Sequence, residues 1–233
     1  MSGLQVKAQP FNYILYYSKR RSLAIQIKAG EVVVRAPLAY AMAKIEAFLQ
    51  HKQHWILEKI QTTQLLAAPK WLEECRLPLF EQVLPFEVQR AKRSYILQQQ
   101  DKLVLNISSR VQMARVDIIK QQLITDWYKQ QAQIWFNSRV AYWQRQLQVK
   151  STEIVIGGWL SKWGYCRADG RLGFNWRLMM APAWVADYVV VHEVCHLKHL
   201  NHSAAFWQLV AKHCADVSAA KQWLKQYQHH LSL

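Results

Sequence analysis

Residues 192–202 read His-Glu-Val-Cys-His-Leu-Lys-His-Leu-Asn-His. Residues four apart on a helix share a face, so a helix through this stretch brings the imidazoles of His192 and His196 to one metal ion. Glu193 lies about a third of a turn further round and faces the open coordination position. This arrangement is typical of a zinc site that carries out hydrolysis.

The flanking sequence predicts how a third histidine reaches the same ion. Pro182 suits the first turn of a helix, and the apolar residues after it predict a largely buried helix over about 182–200. Asn201 tolerates the left-handed conformation that often ends a helix, and Ser203 is a suitable N-cap for the next one. His202 then lies on the turn between two helices, from which its side chain can reach the metal.

His199 is an alternative third ligand. It follows His196 by three residues and His192 by seven, so spacing alone does not exclude it. Three ligands from one straight helix converge poorly on a tetrahedral ion, which favours His202. In an interpretation without a metal, the two motif histidines are buried, hydrogen-bonded core residues beside a solvated Glu193.

Three neutral imidazoles leave a fourth coordination position for water, as catalytic zinc sites do, whereas structural sites normally have four protein ligands and prefer thiolates. The sequence has neither a Cys-x-x-Cys pair nor the spacing of a disulfide framework; its cysteines are Cys75, Cys166, Cys195 and Cys214. We therefore predict one catalytic Zn²⁺ per chain. Glu193 is predicted to be the general base that takes a proton from the metal-activated water.

Length and composition set wider limits. The chain has 233 residues, of which 52% are apolar, so it can bury a sizeable core. Its 30 basic and 15 acidic residues give a net charge of +15, which favours encounter with nucleic acid, nucleotides or acidic peptides, although a solvated surface explains the charge equally well. Because no signal-peptide pattern and no run of roughly 18 apolar residues is present, we expect a cytoplasmic protein without a membrane segment. The sequence does not indicate the oligomeric state.

Patterns of apolar residues predict an α+β fold without an internal repeat. Residues 1–112 are predicted to be β-rich, with antiparallel strands and one helix, and residues 113–233 to form a helical catalytic half. Lys19-Arg20-Arg21 is predicted to be a hairpin turn in an N-terminal meander. The predicted strands are 12–18, 22–28, 31–35, 79–89, 94–98, 102–107, 153–156 and 171–176, and the predicted helices before the motif are 40–64 and 114–147.

Several stretches taken together resemble the YgjP-like metallopeptidase family, a bacterial group of zincins. The resemblance is specific over about residues 150–212 and weaker before them. It implies a zincin-like catalytic domain in which His192, His196 and His202 bind the metal and Glu193 is the general base. The stretches that carry it are Ser161-Lys162-Trp163-Gly164-Tyr165-Cys166, Gly170-Arg171-Leu172-Gly173-Phe174-Asn175-Trp176-Arg177-Leu178, Pro182, Asp187-Tyr188-Val189-Val190-Val191, Asn201-His202-Ser203 and Phe206-Trp207.

The resemblance also suggests where the substrate binds. In zincins an edge strand beside the active-site helix commonly lines the substrate groove, and residues 171–175 are the candidate here. The chain has Tyr165 where the family usually has a small serine, and Lys162 where it usually has arginine. Tyr165 is either a donor to the developing oxyanion or a packing aromatic, and Asn175 either organises the groove or forms a turn. The candidate substrate-binding residues are Lys162, Tyr165, Arg171, Asn175 and Arg177.

The leading prediction is a zinc-dependent peptidase that acts on a peptide or protein. An alternative is a metal-dependent nucleoside triphosphate pyrophosphatase, because metal-activated water also attacks phosphoanhydrides and Lys162, Arg167, Arg171 and Arg177 would contact phosphates. Against it, the sequence has no Gly-rich phosphate loop and few carboxylates for magnesium. A third possibility is a DNA-associated protein-binding or protease module, for which the sequence has charge and aromatics but no nucleic-acid-binding motif.

Overall fold

A computed structural model describes residues 4–7, 10–28, 31–65 and 70–231. Its strands are β1 Leu4–Val6, β2 Tyr13–Ser18, β3 Ala24–Lys28, β4 Glu31–Pro37, β5 Arg76–Leu79, β6 Gln82–Ala91, β7 Tyr95–Gln99, β8 Lys102–Ser108, β9 Glu153–Gly157, β10 Gly164–Cys166 and β11 Arg171–Asn175. Its α-helices are α1 Met42–His51, α2 Gln53–Leu65, α3 Val116–Leu147, α4 Ala183–Cys195, α5 Ala204–His213 and α6 Val217–Tyr227. The predicted α+β class is confirmed, with most strands in the N-terminal half and most helices in the C-terminal half.

The first sheet is mixed, which corrects the predicted antiparallel meander. Its strand order is β1-β2-β4-β3, and β2 pairs with β4 in parallel. The connection over residues 19–30 contains β3, so Lys19-Arg20-Arg21 does not form a tight hairpin turn. Strands β2 and β4 are both paired on two edges, and Val32, Val34 and Ala36 of β4 lie inside the core. The predicted single helix over 40–64 is two helices that meet at Lys52.

The second four-stranded sheet repeats the topology of the first. Its order is β5-β6-β8-β7, with β6 and β8 parallel and the outer pairs antiparallel. The first sheet has the same order and the same relative directions. The structure therefore contains a topological repeat that the sequence did not reveal, and the prediction of purely antiparallel strands is wrong at the centre of both sheets.

The described residues form two compact units, which divide between Ala68 and Pro69. Each has a hydrophobic core of its own. The boundary that we predicted between residues 112 and 113 lies within the second unit, because Leu103 and Leu105 of β8 belong to the same core as Phe136 of α3. The division into a β-rich N-terminal region, 1–112, and a zincin-like catalytic domain, 113–233, stays a prediction.

Helix α3 is the longest element and supports the catalytic half. Its buried stripe recurs every three or four residues, as the helical period requires: Ile124, Trp127, Tyr128, Ala132, Phe136, Val140, Trp143 and Leu147. Ile134 lies off this stripe and is 68% exposed. The helix ends where Gln148 adopts a left-handed conformation, with φ 52°. No helix in the described ranges has both the length and the apolarity that crossing a bilayer requires.

Helix α4 carries the His-Glu motif and is buried along most of its surface. It is fixed to α3 by Asp187, whose carboxylate accepts hydrogen bonds from Arg139 at 2.8 and 2.6 Å and from Trp143 Nε1 at 2.8 Å. The helix ends at Cys195 and not near residue 200, because the amides of Leu197 and Lys198 bond three residues back and tighten the last turn.

We expect Asp187→Ala to lower the free energy of unfolding by about 2 kcal/mol, because it leaves a half-buried guanidinium and an indole N–H without their acceptor. Asp126→Ala is the matched control. Asp126 pairs with Lys129 at 3.5 Å on the exposed face of α3, where such pairs contribute at most about 0.5 kcal/mol. Urea unfolding measures both. Equal losses in the two variants would mean that Asp187 does not fix α4 to α3.

Candidate active site

The structure brings the three predicted histidines together. One ring nitrogen from each of His192, His196 and His202 lies within 4.8 Å of the others. His192 and His196 come from the end of α4, and His202 comes from the turn before α5, as the sequence predicted. The closest pair is Nε2 of His192 and Nε2 of His202, at 3.1 Å. Three imidazole nitrogens that face one point suit a tetrahedral divalent ion such as zinc.

Helix α5 holds the turn that carries His202. Ser203 caps the helix, with its hydroxyl accepting from the amide of Phe206 at 3.4 Å, which confirms the predicted cap. The Phe206 ring stacks on His196 with centroids 4.3 Å apart, and the Trp207 ring stacks on His202 at 5.4 Å. Two aromatic residues of one helical turn therefore support two of the three imidazoles.

His199 contributes through its backbone. Its carbonyl accepts a hydrogen bond from Nδ1 of His196 at 2.9 Å, which leaves Nε2 of His196 with a free lone pair. The side chain of His199 is not among the clustered ligand atoms. Spacing alone could not separate His199 from His202, and the structure does so, because it places the His202 side chain in the cluster.

Burial favours the neutral form of His192 and His196. It is the largest cause that lowers the pKa of His192, to about 3, followed by the charges of His196, His202 and Lys221. Burial also lowers the pKa of His196. Nδ1 of His192 is buried and has no hydrogen-bond partner among the described residues. Neutral rings with free lone pairs are the form in which histidine binds a metal.

Glu193 lies beside the histidines with only 7% of its surface exposed. Burial raises the pKa of its carboxyl to about 8, and the charge of Lys162 partly opposes this shift. Gly164 of β10 allows the carboxylate to sit there, since a Cβ at this position would lie 2.7 Å from Oε1 of Glu193. The sequence named Gly164 only as part of the resemblance, and its contact with Glu193 was not foreseen.

The open edge of the small sheet is β10 and not residues 171–175. The strand order is β10-β11-β9, so β11 is the central strand. The prediction that residues 171–175 form an edge strand is therefore wrong. The amide of Asn175 bonds the carbonyl of Trp163 at 2.8 Å, and the amide of Arg167 bonds the carbonyl of Arg171 at 2.9 Å. In an antiparallel ladder, bonded positions alternate, so the backbone groups of the even-numbered residues in β10 point away from β11. These groups, on Gly164 and Cys166, have no backbone partner in the described part of the chain.

Two candidate substrate residues lie on the loop and strand next to Glu193. The Nζ atom of Lys162 is 4.7 Å from the centre of the Tyr165 ring and 5.4 Å from that of Trp159. Tyr165 covers Gly173 of β11, where a Cβ would come within 2.2 Å of its ring. This contact supports the interpretation of Tyr165 as a strand-face aromatic.

The other three candidates are engaged within the fold. Asn175 is fully buried, and its Nδ2 donates to the carbonyls of Trp159 at 2.7 Å and Lys162 at 3.1 Å, so it shapes the loop before β10. Arg171 lies with Nε 2.8 Å from Glu153 Oε2, as an ion pair without aligned hydrogen-bond geometry. Arg177 places its guanidinium 4.5 Å over the ring of Trp176, and burial lowers its pKa.

A cavity of about 300 Å³ opens beside Glu193 and His192. Its apolar walls are Trp163, Tyr188, Val189 and Leu224. Lys221 of α6 contributes a positive charge to its lining. Sequence reasoning missed Lys221 because it did not assign α6. The available signal was Asp216, whose carboxylate caps that helix by accepting from the amide of Ala219 at 2.8 Å.

Comparison with protein-family models gives one match. The model of the family described as YgjP-like, metallopeptidase domain, matches residues 21–227. Among solved structures, the chain is similar to the metallopeptidase zymogen abylysin of Pyrococcus abyssi, at 17% identity and a TM-score of 0.36, over 40% of this chain and 95% of that chain. Comparison with curated proteins gives no match.

Gly164→Ala tests the close approach of β10 to Glu193. We expect it to lower the free energy of unfolding by about 1–3 kcal/mol, because the new Cβ overpacks against the carboxylate. In a Glu193→Ala background the same substitution should cost much less, since the opposing atoms are gone. Unfolding of the wild type, both single variants and the double variant measures this coupling. An equal penalty in both backgrounds would place the clash elsewhere.

Proposed function

The chain belongs to the YgjP-like metallopeptidase family, and on that premise we propose that it is a zinc peptidase in which His192, His196 and His202 hold the ion and Glu193 is the general base. Membership makes it a metal-dependent hydrolase. The observation that carries the finer proposal is the convergence of three imidazoles next to a buried carboxylate. The four cysteines are all free, and none belongs to the cluster of ligand atoms.

The donor set supports zinc. Three neutral imidazoles without a further protein ligand leave a position open, which is the arrangement of catalytic and not of structural zinc sites. The carbonyl of His199 holds His196 in the tautomer that a metal ligand needs. When bound, a zinc ion would lower the pKa of a water molecule towards neutrality and polarise the carbonyl of the substrate.

Glu193 is placed to move the proton. In its carboxylate form it accepts a proton from the attacking water, and in its acid form it donates that proton to the leaving amine. Burial raises the pKa of Glu193 to about 8, so the carboxylate is a stronger base than it would be in water. Lys162 favours the charged form and keeps it accessible near neutral pH.

Strand β10 supports a peptide as the substrate. Its outward backbone groups, on Gly164 and Cys166, can pair with an extended chain and hold it in register by main-chain hydrogen bonds. Gly164 also contacts Glu193, so a peptide bound at this edge runs past the general base. Recognition through the backbone does not require a phosphate.

The alternative reaction, hydrolysis of nucleoside triphosphates, has less support from the site. It needs cations that are free to bind phosphates, yet Arg171 is already paired with the carboxylate of Glu153. The sequence also contains no Gly-rich phosphate loop. We therefore propose peptide-bond hydrolysis, and turnover of nucleotides without turnover of any peptide would contradict it.

The ligand assignment is tested by metal affinity. His202→Ala should weaken zinc binding by more than the roughly 10–100-fold typical of outer-shell changes, because it removes a ligand. His199→Ala is the control, since it keeps the carbonyl that holds His196. Competition with a chromophoric chelator measures both affinities. Weak binding by His199→Ala with normal binding by His202→Ala would reverse the assignment.

The role of Glu193 is tested by an isosteric change. Glu193→Gln keeps the shape of the side chain and removes the base, so we expect kcat to fall by about 10²–10⁴-fold while zinc content is retained. Glu87→Gln, at an exposed carboxylate paired with Lys102, should leave turnover unchanged. Near-normal hydrolysis by zinc-loaded Glu193→Gln would show that another group takes the proton.

A further inference from the structure

The cavity beside Glu193 combines apolar walls with one cation. Trp163, Tyr188, Val189 and Leu224 can enclose the aliphatic part of a side chain, and Lys221 stands among them. Gly164 belongs both to this cavity and to the open edge of β10. A peptide that pairs with β10 therefore presents a side chain at the mouth of the cavity.

From this arrangement we propose that the cavity binds an acidic side chain next to the scissile peptide bond, and that Lys221 is the residue that selects it. The inference rests on the proposed peptidase function and adds the class of substrate. A side chain that fits this cavity has a short aliphatic stem, which packs against the apolar walls, and a carboxylate, which binds the ammonium group of Lys221. Glutamate and aspartate have both.

Lys221 is held in place without being neutralised. Its Nζ atom lies 3.5 Å from the centre of the Trp207 ring, within the range of a cation–π contact. It forms no ion pair with the described part of the chain. An ammonium group has three N–H donors, and the ring face occupies only one side of it. The remaining donors are available to a carboxylate.

The charges around the cavity favour an anion. Glu193 is the one carboxylate among the lining residues. The positive charge of Lys162 acts on Glu193 and partly offsets its negative charge. The net charge of +15 on the chain also raises the encounter rate with acidic peptides.

The test compares peptides that differ only in one residue next to the cleaved bond, Glu, Gln or Lys, with both ends blocked so that the side chain supplies the only carboxylate. For the zinc-loaded wild type we expect kcat/KM to be about tenfold higher for Glu than for Gln, the effect of one charge-assisted hydrogen bond. Lys221→Met should abolish this ratio, Lys221→Arg should keep most of it, and Lys221→Glu should favour the Lys peptide. Lys225→Met, one turn along α6 and outside the cavity, is the control.

Equilibrium binding of the same peptides to zinc-loaded Glu193→Gln protein, with and without Lys221→Met, should show the same ratios. Because each ratio is taken within one variant, a loss of folded protein cancels. A wild type that cleaves Glu and Gln peptides equally, or a ratio unchanged in Lys221→Met, would overturn the inference and leave the peptidase proposal intact. A matched Gln peptide with a free C-terminus that is cleaved better than the blocked Glu peptide would also overturn it. Failure of the zinc-loaded wild type to cleave any peptide would instead contradict the proposed function.

Discussion

The burial of helix α4 is the constraint on which the site depends. Nearly all of this helix is enclosed, yet His192, Glu193 and His196 must share a face at its end that ligands can reach. A helix enclosed in this way cannot rotate or slide without breaking close packing, and Asp187 adds a directional link to Arg139 and Trp143 of α3. The hydrophobic core therefore fixes the positions of His192, Glu193 and His196, although none of them belongs to that core.

Enclosure also sets the electrostatics of the site. The same desolvation lowers the pKa of His192 and raises that of Glu193. The first effect keeps the nitrogens of a proposed ligand free of a proton, and the second makes the proposed base stronger. Both shifts follow from the removal of water from one end of α4, so the apolar residues around it tune the proposed chemistry although they exchange no proton.

The local parts of this arrangement could be predicted from the sequence. The spacing of His192, His196 and His202 and the cap at Ser203 depend on residues within a few turns of one another. The non-local parts could not. The parallel pairing of β2 with β4, and the central place of β11, depend on which strands meet after folding, and a period-two pattern does not say which partner a strand takes. The carbonyl of His199 was missed for another reason, since backbone groups leave no trace in residue identity.

Gly164 links two features of the site, the position of the Glu193 carboxylate and the open edge of β10. Its missing side chain gives the carboxylate of Glu193 its position, and its backbone lies at the open edge of β10. The position of the proposed base and the position of the proposed substrate edge therefore meet at the same short strand. Because Glu193 is carried by α4, movement of β10 would shift a substrate bound at that edge relative to the carboxylate. Asn175 restrains such movement, because its buried side-chain amide donates hydrogen bonds to the carbonyls of Trp159 and Lys162 in the loop before β10.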